Sequence, residues 1–196
     1  FAILEFVPRD DAPTAFRVVW REEVPRTKYL LEHAVNRIVE LNQQWNPEWI
    51  YVDRGFGEYQ VERLQLLGMR SKPGDAAYGL DKKVKGISFS ENVQVREPGT
   101  GAIVPKEAKA FMVSQTQVLL EQRRLWFPKS DGLLYEQMRQ YNATVGSSGK
   151  VRYYGGRAGD HAVDALCLCV LAVALEYPQL LEIYDRPPAV RQMYVD

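Results

Sequence analysis

Three ionisable side chains, Asp160, His161 and Asp164, crowd the start of the run GDHAVDALCLCVLAVAL, which meets no further charge until Glu176. On a helix, positions 160 and 164 share a face within one turn, and so do 161 and 164. The apolar residues behind them lie nearly all round, which predicts a helix over roughly 161–177 buried against a sheet. Its first turn would emerge where the strands of that sheet end. For Asp160 helix capping is a sufficient reason: an N-cap carboxylate satisfies free N–H groups and is worth ~1 kcal/mol. Asp164 lies past the cap on a helix that otherwise avoids charge. Burying it unpaired would cost several kcal/mol, so something positive must meet it. A metal ion is one candidate, and an arginine such as Arg157 or Arg54 is another.

A second acid stands in WIYVDRGFGEYQVERL. Asp53 ends a hydrophobic strand and precedes a glycine turn into a helix. Ligands in open sheets sit at the carboxyl ends of strands. The plainer alternative is that Asp53 caps the helix or pairs with Arg54. Carboxylates from distant segments, at a strand end and a helix start, suit Mg²⁺ or Mn²⁺, which take oxygen ligands from few side chains. A pair of such ions can activate water and steady the leaving oxygen in phosphodiester cleavage.

Other chemistries find little support. No Gly-x-Ser-x-Gly elbow occurs, and no phosphate loop of the Gly-x-x-x-x-Gly-Lys-Ser/Thr type, so this piece is not an ATP-hydrolysing part. Cys167 and Cys169 lie two apart within the apolar run and would point in different directions on a helix, so they read as small buried hydrophobes. His33 lies in an amphipathic helix and reads as surface.

The elements that must position these acids follow from pattern. The 196 residues suffice for one domain with a real core, and 25 basic residues balance 25 acidic ones. That balance argues against a bulk polycation and leaves room for a local basic groove. FAILEF predicts a strand (1–7) and AFRVVWREEV a second (15–24), joined as an antiparallel hairpin. Thr27 can cap a helix with apolar positions at Leu30, Leu31, Ala34, Val35, Ile38 and Leu41, ended by Asn46-Pro47. WIYVD predicts a buried strand (49–53). Gly55 and Gly57 then lead into a helix over 59–67, closed by Gly68. Residues 70–86 read as a loop. NVQVREPGTGAIVPKE reads as a hairpin. Helices follow over 110–126 and 133–141, then the flexible turn VGSSGK and an extended VRYYGG. The longest uncharged run, Ala165 to Leu175, is too short for a bilayer, which takes ~20 residues. No signal peptide is visible, and the chain reads as a soluble, cytosol-type protein.

The order β-β-α-β-α with YVDRGFGEYQVERL, and the late DHAVDALCL opening a helix, resembles the nuclease domain of tailed-bacteriophage terminase large subunits. These share the RNase H-like fold of RuvC-type resolvases. The resemblance implies an α/β domain over residues 1–196: a mixed central sheet flanked by helices, with an extra β-hairpin near the active-site cleft. It covers nearly the whole chain in element order, and about thirty residues in specific motifs. Carried over, Asp53 resembles the second catalytic acid and Asp164 the last metal-binding acid. His161 resembles the companion found three residues earlier in some relatives, and Asp160 is either a ligand or the helix cap. The implied cofactors are two Mg²⁺ or Mn²⁺ ions.

One departure stands out. The family's first catalytic Asp lies on its first strand, whereas this chain starts at Phe1 and reads as opening on the second strand. Glu5 is no substitute, so the expectation is a fragment of a longer chain whose first strand is missing.

The resemblance further implies an endonuclease that cuts concatemeric viral double-stranded DNA during genome packaging. Arg54, Lys82, Lys83, Lys85, Arg96, Lys106 and Arg157 are candidate phosphate contacts, and Lys109 and Lys150 belong to the same basic stretch. Tyr153 and Tyr154 are either stacking residues or sheet residues. The implied partners are double-stranded DNA, an N-terminal ATPase domain of the same chain, the portal and the small terminase subunit. The implied setting is host cytoplasm, with transient docking on the procapsid and no membrane. The alternatives are a RuvC-type Holliday junction resolvase and a non-catalytic DNA- or portal-binding module.

Overall fold

A computed structural model describes residues 1–24, 30–97, 100–146 and 151–181, the side chain of Phe56 excepted. Thr27, the Pro98-Gly99 turn and most of VGSSGK, with Lys150, lie outside the described residues. Strands β1 (Ala2–Val7) and β2 (Ala15–Arg21) pair antiparallel, as the alternating pattern requires. Helix α1 (Leu31–Trp45) buries Ala34, Val35, Ile38 and Leu41 on one face. It stops where Asn46 turns left-handed at φ 44°, a conformation asparagine tolerates better than most residues.

Strand β3 (Ile50–Asp53) runs straight into helix α2 (Arg54–Arg70). That helix starts earlier than the expected residue 59 and continues past Gly68. Gly68 is a close-packing residue, not a cap: a Cβ there would collide with the backbone of Asp81. The expected loop over 70–86 instead contains helix α3 (Leu80–Lys83) and strand β4 (Val84–Ile87). β4 pairs parallel with β3, placing Ile87 beside Asp53. Its sequence, VKGI, is too short and too polar to declare itself without that partner.

The hairpin forms as β5 (Asn92–Arg96) and β6 (Ile103–Glu107), in antiparallel register from Asn92↔Glu107 to Arg96↔Ile103. Helix α4 (Ala108–Glu121) ends short of the expected Trp126, because Leu125–Trp126 form strand β7, parallel to β2. Helix α5 (Gly132–Gln140) precedes a second hairpin, β8 (Asn142–Val145) with β9 (Val151–Tyr154). Helix α6 (His161–Glu176) is the buried apolar helix, and Pro178 opens a last short turn, α7 (Pro178–Leu181).

Among the described residues the strands form four small sheets: β1-β2-β7, β3-β4, β5-β6 and β8-β9. The expected single central sheet is therefore divided, with β1 and β3 each presenting an unpaired edge among the described residues. Two cores lie on either side. One gathers α4, α6 and the hairpin (Val93, Met112, Leu166, Leu171) and the other α1, α2 and β4 (Val35, Leu64, Leu80, Val84). β3 divides them by its two-residue alternation, Tyr51 facing the first core and Ile50 and Val52 the second. No helix among the described residues is long and apolar enough to cross a membrane.

Candidate active site

Asp53 is held by local geometry. It is the last residue of β3 and the N-cap of α2, and its Oδ1 accepts from the Gly55 N–H at 2.9 Å. Gly57 departs from helical dihedrals (φ −116°, ψ 16°), and a Cβ on it would come within 2.8 Å of Val52. Glycine at 57 thus lets the first turn of α2 press onto β3 and fixes where the Asp53 carboxylate points. The capping expected as the plainer alternative is present; the pairing with Arg54 is not, since Arg54 reaches Glu58 at 3.3 Å on the exposed face of α2.

Asp164 sits one turn into α6 and is met by a cation, as its burial demands. The cation is Lys109, the second residue of α4, whose Nζ lies 2.5 Å from Asp164 Oδ1; neither Arg157 nor Arg54 fills this place. Both side chains are about 15% exposed, at 14% and 15%. The Lys109 ammonium also stands 4.4 Å above the Phe89 ring, and the Tyr141 hydroxyl donates to the same Asp164 oxygen at 3.1 Å. Burial pushes the Asp164 carboxyl up, Lys109 and Tyr141 pull it back, and the nearby Asp160 charge pushes it further up.

Asp160 occupies the N-cap position of α6, but its side chain caps nothing. That corrects the capping argument from sequence. The cap comes from Gln137 on α5: its Oε1 accepts from the Ala162 N–H at 2.8 Å, and its Nε2 donates to the Ala158 carbonyl at 2.9 Å. Gln137 is 2% exposed, and no pattern in α5 marks it for this task. The Asp160 carboxylate is left half-buried with His161 Nδ1 3.9 Å away. His161 is 79% exposed, on the rim of the site.

β3 runs opposite to α6: Trp49 Nε1 donates to the Tyr177 hydroxyl at 3.1 Å and the Tyr51 hydroxyl to Glu176 at 2.5 Å. The far end of β3, Asp53, accordingly points toward the start of α6. A second route connects them. Asp53 is in register with Ile87, the Phe89 carbonyl accepts from the Lys109 N–H at 3.1 Å, and Lys109 holds Asp164. Asp53 and Ala165 also line one groove.

The donors suit a hard divalent cation in kind, being carboxylate oxygens. They fall short in number: among the described residues no three of His, Cys, Asp or Glu converge as a metal cluster. Asp53, Asp160 and Asp164 make an incomplete set.

The basic candidates divide. Lys85 is engaged with Glu176 at 2.5 Å and lies 4.1 Å from the Trp49 ring centre, while Lys83 donates to Asn46 at 2.7 Å and Asn42 at 3.3 Å. Lys82, Arg96, Lys106 and Arg157 are exposed. Tyr153 stacks on Tyr141, 6.2 Å between ring centres, which places it inside the protein's own framework; Tyr154 is exposed.

The fold has a counterpart among solved structures. The chain is similar to the large terminase nuclease from thermophilic phage G20c, crystallised with bound cobalt. The TM-score is 0.54 at 14% identity, over 86% of this chain and 79% of that one. The chain has the fold of a phage large-terminase nuclease. The likeness lies in backbone architecture rather than sequence, and it agrees with the family resemblance carried by the Asp53 and Asp164 motifs. No family model and no curated protein sequence matches the chain.

Proposed function

We propose that this chain is a metal-dependent endodeoxyribonuclease of the terminase type, cutting concatemeric viral double-stranded DNA during genome packaging. The reading is supported by the placement of Asp53 at a strand end and of Asp160 and Asp164 at a helix start, in a fold similar to that of a terminase nuclease. The cobalt in the similar nuclease supports divalent-metal use here.

In this reading the divided sheet belongs to an RNase H-like core. Asp53, Asp160 and Asp164 would contribute oxygen ligands to Mg²⁺ or Mn²⁺, which would supply Lewis acidity for phosphodiester hydrolysis. Lys109 and Tyr141 fix the Asp164 carboxylate. His161, exposed beside Asp160, acts at the rim on the leaving or entering proton. Arg96 and Lys106 on the β5–β6 hairpin, with Lys82 and Arg157, grip phosphates without reading bases. The partners are duplex DNA, an ATPase domain of the same polypeptide, the small terminase subunit and the portal of a procapsid in the host cytoplasm.

The test is nicking of supercoiled plasmid in Mg²⁺ or Mn²⁺ by the full-length protein, against Asp164→Asn. Nicking lost in the variant supports the proposal. Absence of nicking in the wild type leaves a non-catalytic DNA- or portal-binding module, and preference for four-way junctions over linear duplex would favour a resolvase.

A further inference from the structure

Three helices among the described residues open on an aspartate at the N-cap position, and one of them does not use it. Asp53 accepts from the Gly55 N–H at the start of α2, and Asp131 from the Leu134 N–H at the start of α5. Their ψ angles are 107° and 72°. Asp160, at the start of α6, has φ −137° and ψ −3°, and its side chain makes no cap. A capping side chain reaches the N2 or N3 amide from an extended backbone, which Asp160 lacks. Its carbonyl still accepts the first helical bond, from the Asp164 N–H at 2.8 Å. Only the carboxylate is left out of the helix end.

A second helix does the capping instead. Gln137 and Gln140 lie three apart and so share a face of α5. Gln137 Oε1 accepts from the Ala162 N–H, the N2 amide of α6, at 2.8 Å, and its Nε2 donates to the Ala158 carbonyl at 2.9 Å. Gln140 Oε1 accepts from the Ala158 N–H at 3.1 Å, and its Nε2 donates to Glu136. Both backbone groups of Ala158 are thus bound to α5. Glycine makes this approach possible: Gly156 has φ 56°, and a Cβ there would stand 2.9 Å from Gln140 Oε1. Ala162 is buried, so its N–H cannot turn to water. Without Gln137, the nearest carboxylate able to cap that amide is Asp160.

We propose that Gln137 is a positioning residue: by capping α6 in place of Asp160, it keeps the Asp160 carboxylate off the helix end and open to a divalent cation. The inference rests on the nuclease reading for that cation. A carboxylate oxygen committed to backbone amides has fewer lone pairs left for a metal. A local aspartate could cap α6 without any long-range contact, as Asp53 and Asp131 do for their helices. A glutamine 2% exposed, 25 residues from the amide it caps, does so instead, and both Asp160 oxygens stay free of that amide. α5 is itself held in place, because its own cap, Asp131, is pinned by a bidentate pair with Arg21 of β2.

The test uses the full chain and two variants. Gln137→Leu loses both amide bonds, whereas Gln137→Glu keeps an acceptor for the Ala162 N–H and loses only the donor to Ala158. Melting midpoints are first compared without metal. Asp160→Ala is expected to shift the midpoint by less than ~1 °C in the wild type, where it caps nothing. In the Gln137→Leu background it should lower the midpoint by ~2–4 °C, because Asp160 has taken over the cap. Mn²⁺ affinity is then read from the electron paramagnetic resonance of free Mn²⁺, counting only binding lost in Asp53→Ala/Asp164→Asn. Gln137→Leu should bind ~10-fold more weakly or worse, and Gln137→Glu no more weakly than the wild type. Equal weakening in both variants would reduce Gln137 to a brace on Ala158 and overturn the proposal. Equal Asp160→Ala shifts in the two backgrounds overturn it, and so does unchanged Mn²⁺ affinity in Gln137→Leu. Should Gln137→Leu fail to fold, the affinity of Gln137→Glu decides. A wild type that binds no Mn²⁺ at these acids fails the nuclease reading, and the metal-free melting cycle still decides whether Gln137 holds Asp160 off the helix end.

Discussion

Lys109 Nζ lies 2.5 Å from Asp164 Oδ1, joining the first turn of α4 to the first turn of α6 across 55 residues of sequence. Lys109 also anchors by its backbone to Phe89, so one residue ties the β5–β6 hairpin, the end of β4 and the candidate site together. Replacing it by methionine leaves Asp164 buried without its cation. Lys109→Met is expected to lower the stability of the metal-free protein by about 3 kcal/mol, as breaking a largely buried pair does. The double variant Lys109→Met/Asp164→Asn should recover part of that loss. Denaturant titration of the four proteins in a double-mutant cycle measures the coupling, and a coupling near zero would show the pair to be incidental.

Asp53 has two roles that a single serine separates. A serine at an N-cap still accepts from the helix amides, so Asp53→Ser should change stability by no more than ~0.5 kcal/mol, whereas Asp53→Ala should cost ~1 kcal/mol. Both should abolish metal-dependent plasmid nicking. If the serine variant cleaves like the wild type, Asp53 is only a cap.

The start of α6 depends on Gly155. A Cβ there would overlap the Gly159 carbonyl and press on Asp160. Gly155→Ala is expected to destabilise the protein by ~1–3 kcal/mol through overpacking of this turn. Far-UV and thermal melts compared with Gly132→Ala, where a Cβ meets nothing within 4 Å, provide the check.

Arg21 and Asp131 form a bidentate pair, and Asp131 also caps α5 by accepting from the Leu134 N–H at 3.1 Å. Burial by itself would raise the Asp131 carboxyl, but the Arg21 and Leu134 hydrogen bonds outweigh it and hold the group below the usual carboxylate range. A depressed folded value means stability that is present above the unfolded value, near pH ~4, and lost as pH falls through the folded one. Asp131→Asn should therefore be less stable than the wild type at neutral pH and converge with it in acid. Urea midpoints from pH 2 to pH 7 decide this, and parallel curves would refute it.

Salt dependence separates gripping cations from structural ones. Arg96→Ala and Lys106→Ala should each reduce the slope of log affinity for duplex DNA against log salt by about 0.9. Lys83→Ala and Lys85→Ala should leave the slope unchanged, because those ammonium groups already serve Asn46 and Glu176. Fluorescence anisotropy across a salt series measures both.

Elements with a strong period were readable in advance. The β1–β2 hairpin, α1, β3, the β5–β6 hairpin and α6 all stand near where alternation or helical spacing places them. β4, β7 and β8 were not, because strands of two to four residues carry too little pattern to outweigh their polar members. They exist because a neighbouring strand supplies the ladder, and in β4 and β7 that neighbour is a parallel strand distant in sequence. Gly68 looked like a helix stop because glycine usually is one, and the approach of the 80–81 backbone made it a packing residue instead.

The sequence by itself determined the acids, since a carboxylate ending an apolar strand and another inside an apolar helix are anomalies of local pattern. Tertiary structure alone decided what meets them: Lys109 on Asp164, Gln137 in place of Asp160 as the cap of α6, and a groove lined by β1 and β3, which are not paired with each other. The reason is physical. Burial and periodicity act over a few residues and are written in their order, whereas ion pairs and strand edges depend on which distant segments the packed core brings within a few ångströms.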